Sequence, residues 1–144
     1  MDQLGQAGVL LASLFGSSCS PEISDPHERV EFYLERSARI FVGKVVDQTI
    51  EYEERAPGVK IEKRQIARLR VTEAFKGTNE SEVVEVGTWL DSYGSYKVFE
   101  GYEYLVFLSP PPGIGGINAC GQIVAAEKAT VERQLLRDMR PRGQ

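Results

Sequence analysis

Two long stretches in the first half of the chain, ARIFVGKVVDQTIEYEE from Ala38 and VKIEKRQIARLRVTEAFKG from Val59, are rich in Val, Ile, Phe and Tyr, and along the second apolar and polar positions alternate. In the second, Val59, Ile61, Ala67, Leu69 and Val71 share one face and Lys60, Glu62, Arg64, Arg68 and Arg70 the other. That is the period-two pattern of a half-buried strand, because side chains swap faces at every residue. Ala56-Pro57-Gly58 lies between the stretches, so they read as an antiparallel hairpin. Two strands alone are only marginally stable, and the remaining segments must supply more sheet or a covering helix.

Those segments read as follows. Asp25 can cap a helix that has Pro26 at its first position and Glu28 three residues on, with Val30, Tyr33 and Leu34 as a short apolar face ending near Ser37. Glu82 to Gly87 is a third strand, and the apolar run 104–108 a central, well-buried fourth. Trp89 to Tyr96, WLDSYGSY, is a loop that either packs on a rim or touches a partner, since Trp and Tyr do both. Pro110-Pro111-Pro112-Gly113 stops the fourth strand, Ile117 to Cys120 is a short fifth, and Ala125 to Met139 a helix with Val131, Leu135 and Met139 on one face. No long crossover helices separate the strands. The expectation is an all-β domain with flanking helices, a closed or nearly closed five-stranded barrel of the oligonucleotide/oligosaccharide-binding (OB) type.

Composition narrows the class. A chain of 144 residues builds one domain with a sizeable core, and a formal net charge of -4 argues against a general nucleic-acid binder. Glu51, Glu53 and Glu54 on one strand and Lys60, Lys63, Arg64, Arg68 and Arg70 on the other read as cross-strand pairs rather than a basic recognition face. Residues 1–16 read as a signal or flexible segment: 7–16 resemble the apolar part of an export signal, too short to span a membrane, although no Lys or Arg precedes it. Export points to a secreted, periplasmic or cell-envelope location. Gly16-Ser17-Ser18-Cys19 is a poor lipid-attachment box, which leaves lipid anchoring open. Cys19 and Cys120, the two cysteines, are unrelated thiols in a reducing compartment or one bridge in an oxidising one. Asn79-Glu80-Ser81 is an N-glycosylation pattern, meaningful only where exported proteins are glycosylated.

No active site emerges. The lone His27 falls in a helical first turn without a nucleophile partner, and Glu51, Glu53, Glu54 and Glu103 read as solvated strand residues. The glycines and prolines after 110 do not form a phosphate loop, and no cysteine–histidine cluster suggests a metal. The chain reads as a non-enzyme without a cofactor.

Ser18-Cys19-Ser20-Pro21, a short helix, then ARIFVGKVV, VTEAFKG, GYEYLVF and ACG, in this order, resemble the inhibitory N-terminal domain of tissue inhibitors of metalloproteinases, and more closely the compact bacterial proteins with that netrin-like fold. The likeness covers about residues 17 to 124, within a single domain over 17–139. It implies an OB barrel, and it pairs Cys19 with Cys120 in a disulfide. The family's other bridge would join Ser17 to the neighbourhood of Gly94, and both of its cysteines are missing here. In the animal inhibitors the free α-amine and carbonyl of the first residue chelate the protease's zinc. Ser17 could do so as the mature N-terminus, with less preorganisation for want of the bridge. The implied inhibitory ridge is Ser17, Ser18, Cys19, Ser20 and Pro21 with Ser92, Tyr93, Gly94, Ser95 and Tyr96. The expected partner is a protein, a zinc metalloproteinase in the most concrete form. The alternatives are a structural or envelope-associated domain, and a nucleic-acid or glycan binder using Arg64, Arg68 and Arg70.

Overall fold

The computed structural model describes residues 23–90, 97–110 and 122–140. Helix α1 spans Pro26–Arg36, followed by β1 (Arg39–Ala56), β2 (Val59–Lys76), β3 (Val83–Trp89), β4 (Glu103–Leu108), β5 (Gln122–Ala125), a 3-10 turn over Ala126–Lys128, and α2 (Thr130–Met139). All neighbouring strands are antiparallel, in the order β3-β2-β1-β4-β5. Among the described residues β3 and β5 are the two edges, so the sheet is open between them.

The helix and hairpin lie where the pattern puts them. Asp25 caps α1 by accepting from the Glu28 N–H at 3.0 Å, Pro26 opens the helix, and Ser37 ends it. Gly58 turns the hairpin at φ 77, and Gly77 leaves β2 at φ 71, both in the left-handed region that favours glycine.

The strands divide two cores. On the helix side, Ile40 and Val42 of β1 and Leu105 and Phe107 of β4 pack against Val30 and Tyr33 of α1 and Ala129 and Leu136 beside and on α2. On the other side Phe41 and Val45, Ala67, Leu69 and Val71, Val84 and Val86, and Tyr104, Val106 and Leu108 form a second cluster with Val98. β1 and β4 are therefore covered on both faces where they pair, and their sequence there is an apolar run, while β2 and β3 alternate. Both edge strands serve the second cluster, β3 through Val84 and Val86 and β5 through Ile123. Five register shifts along the β1–β2 ladder increase its twist.

Three expectations are corrected. The second helix begins at Thr130 rather than Ala125, because Gln122–Ala125 pairs with β4 as a strand; the strand expected over 117–120 lies outside the described residues. The inward face of that helix is Glu132 and Leu136, with Leu135 half-buried, whereas Val131 and Met139 are 48% and 45% exposed. Val131, Leu135 and Met139 satisfy the helical period, but Glu132 occupies the inward place through an ion pair with Arg29. Trp89 ends β3 instead of opening a loop, paired in register with Arg64.

Candidate binding surface

The long hairpin outruns its neighbours. β4 pairs with β1 only from Arg39 to Lys44, and β3 pairs with β2 only from Arg64 to Arg70. Val45 makes two further bonds, accepting from Gly101 N–H at 2.9 Å and donating to the Tyr102 carbonyl at 3.0 Å. Among the described residues, 52–56 and 59–63 therefore form a two-stranded arm ending at Pro57-Gly58, while residues 47–51 of β1 lie opposite the part of β2 that also pairs with β3. Val59 is 52% exposed and Ile61 half-buried, so the apolar alternation of β2 continues past the core that receives Ala67, Leu69 and Val71. Tyr52 is 58% exposed on the same arm.

Charges link β1 and β2 across the base of this arm. Arg64 grips Glu51 with two bonds, at 3.0 and 2.8 Å, and this hydrogen bonding holds the Glu51 carboxyl below its ordinary value. Arg68 pairs with Asp47 at 2.8 Å and reaches Glu85 of β3 at 3.6 Å. At the tip, Glu54 accepts from the Gly58 N–H at 2.9 Å. Of the expected cross-strand pairs, Glu51 with Arg64 is present and Arg68 finds Asp47 instead, while Glu53 pairs with Arg55 of its own strand at 3.3 Å.

The base of the arm is clamped by Gln65, which is 1% exposed on the inward face. Its side-chain amide donates to the Val98 carbonyl at 2.8 Å and its oxygen accepts from the Val98 N–H at 2.9 Å, as a paired strand would. It also reaches Gln48 of β1 at 3.2 Å. Leu90 donates to the Lys63 carbonyl at 2.8 Å, and Lys97 pairs with Glu62 at 2.7 Å. Leu90 and Lys97 are therefore both tied to the outer half of β2. Ser92, Tyr93, Gly94, Ser95 and Tyr96 themselves lie outside the described residues, as do Ser17, Ser18, Cys19, Ser20, Pro21 and Cys120.

The chain's exit from the N-terminal segment is also held. The Ile23 carbonyl accepts from Arg29 Nε at 3.1 Å and Nη2 at 2.6 Å, and Nη1 of the same guanidinium bonds Glu132 of α2. At the far end of α2, Arg137 makes a two-pronged contact with Glu73 of β2 at 2.6 and 2.9 Å, with Arg133 and Arg140 at 3.6 and 3.5 Å. Hydrogen bonding from Arg137, outweighing partial burial, holds the Glu73 carboxyl below its ordinary value.

The sequence offered a signal for two of these anchors. Gln65 stands at core parity between Ile61 and Ala67, a polar residue where the alternation asks for an apolar one. Glu73, between Val71 and Phe75, carries the same mark, whereas Glu132 carries none. His27 is exposed in the first turn of α1. Among the described residues no group of three or more His, Cys, Asp or Glu side chains is placed to hold a metal ion, and no helix is long and apolar enough to cross a membrane. The chain matches no protein-family model and no curated protein sequence.

Proposed function

We propose that this chain is an exported protein-binding module of the netrin-like OB type, with inhibition of a zinc metalloproteinase as its most concrete form. The observation that carries the binding reading is the hairpin arm. It adds little to either core, yet it is linked across its base by ion pairs, clamped there by Gln65, and displays Tyr52 and Val59 to solvent. Such bracing serves presentation of a surface more than burial of one.

The fold reading is supported by the strand order. With β3 and β5 as the edges and both feeding one core, a β3–β5 contact would close five strands into a barrel. The helices before β1 and after β5 fit the resemblance. Against a nucleic-acid reading, the guanidinium groups of Arg64 and Arg68 already face Glu51, Asp47 and Glu85.

The test is inhibition of a panel of zinc metalloproteinases by a chain beginning at Ser17, beside an identical chain carrying one extra N-terminal residue. Inhibition lost on extension establishes chelation by the N-terminus. No inhibition by either form removes the inhibitor reading and leaves the arm as the surface to test.

A further inference from the structure

We infer that α2 and β2 together build an oxyanion site, in which Arg133, Arg137 and Arg140 receive a phosphate group beside Glu73. The site lies toward the opposite end of β2 from the hairpin arm and does not depend on the inhibitor reading.

Three guanidinium groups meet one carboxylate. Arg133 and Arg137 on α2 and Arg140 at its C-cap recur at the spacing that sets side chains along one helical stripe, and Glu73 of β2 stands against that stripe. Arg137 alone takes both carboxylate oxygens, at 2.6 and 2.9 Å. Arg133 and Arg140 stop at 3.6 and 3.5 Å, where they add charge without a hydrogen bond to Glu73. The other acids of α2 are engaged elsewhere, Glu132 by Arg29 and Asp138 by Gln134 at 3.0 Å. Two positive charges are left over, of which the partial charge of the helix C-terminus offsets about half of one.

These cations are partly enclosed and held in place. The side chains of Arg133 and Arg140 are only 26% and 29% exposed. Arg140 donates to the Ala74 carbonyl at 3.0 Å, and its guanidinium carbon lies 5.2 Å from the centre of the Phe75 ring. The Nε–H of Arg133 is buried and meets no acceptor among the described residues. A buried donor without an acceptor and an enclosed charge without a counter-ion are both costly, and one oxyanion relieves both. Glu73 itself shows that a single small oxyanion reaches all three guanidinium groups. A phosphate group brings about 1.5 to 2 negative charges near pH 7 and several acceptor oxygens, which matches the surplus, whereas a carboxylate brings one charge. Arg137, at 38% exposed, leaves the cluster open to solvent.

The test follows the Nε–H resonances of Arg133 and Arg140 in the full chain while inorganic phosphate or methyl phosphate is added at constant ionic strength. Both should move saturably, and acetate at the same ionic strength should leave them nearly in place. Tighter binding of inorganic phosphate identifies the free ion as the ligand, and tighter binding of methyl phosphate identifies a phosphate borne on a larger molecule. Arg133→Gln, read at Arg140, should weaken phosphate about tenfold, the loss of one charge-assisted hydrogen bond. Arg133→Lys keeps the charge but not the Nε–H and should weaken it several-fold, while Lys60→Gln on the arm should change nothing. An equal response to acetate, or undiminished affinity in Arg133→Gln, overturns the proposal in favour of diffuse surface charge. Absence of a saturable shift with either phosphate in the unaltered chain overturns it without recourse to any variant.

Discussion

Arg29 of α1 and Glu132 of α2 form an ion pair in which Glu132 is only 4% exposed, and the same guanidinium holds the Ile23 carbonyl. One side chain thus joins the two helices and fixes the point where the chain enters α1. Glu132→Ala would leave a largely enclosed guanidinium short of its counter-charge. We expect a loss of about 2 to 4 kcal/mol in denaturant unfolding, since breaking one side of a buried pair is costly. Arg29→Met with Glu132→Leu should recover much of it. A loss below about 0.5 kcal/mol for the single change would mean that the pair behaves as an exposed one.

Gln65→Leu keeps the bulk at the base of the arm and removes both bonds to Val98. The buried Val98 N–H and C=O would lose their partner, at about 1 to 3 kcal/mol. Hydrogen exchange should report it locally, with the Val98 amide exchanging far faster in the variant. Unchanged exchange at Val98 would show that the clamp is dispensable.

Glu73 predicts an acid limb. Its carboxyl is depressed below the ordinary 4.5, first by the hydrogen bond from Arg137. A group depressed in the folded state contributes stability above its unfolded value, and that contribution is lost as pH falls through the lower folded value. Unfolding free energy should therefore decline with acidification below pH 4.5. Glu73→Gln should flatten that part of the decline while lowering stability near neutrality. Parallel pH profiles for the two proteins would refute the assignment.

Two glycines with similar φ should respond unequally to alanine. At Gly58 a Cβ meets nothing within 4 Å, so only left-handed strain remains, about 1 to 2 kcal/mol. At Gly77 a Cβ would stand 2.4 Å from the Ala38 carbonyl oxygen, and β1 or β2 must shift. Gly77→Ala should lower the melting temperature clearly more than Gly58→Ala. Equal shifts would count against the tight packing at Ala38.

Where periodicity is strong, sequence and fold agree. The hairpin turn, the capped helix α1 and the buried run of β4 are all marked by local chemistry acting within a few residues. Periodicity does not mark where partner strands stop, so Val59 and Ile61 look like Ala67 and Leu69 although only the latter pair reaches the core. The inward face of α2 was obscured for a related reason. A pattern search assigns apolar residues inward, and Glu132 is admitted only because Arg29, distant in the chain, neutralises it. The four residues of β5 are too few for alternation to distinguish strand from helix. Of the candidate site, cross-strand pairing of Arg64 with Glu51 was legible, while the implied ridge and both cysteines lie outside the described residues.

The position of α2 also has a temporal meaning. It is synthesised after every strand that it covers, and Leu136 completes a face already carrying Ile40, Val42, Leu105 and Phe107. On an emerging chain the five strands can therefore collapse around their other face first, while this apolar face waits for its lid. Three arginines converging on Glu73 give the arriving helix a charged landing point on a strand formed long before it.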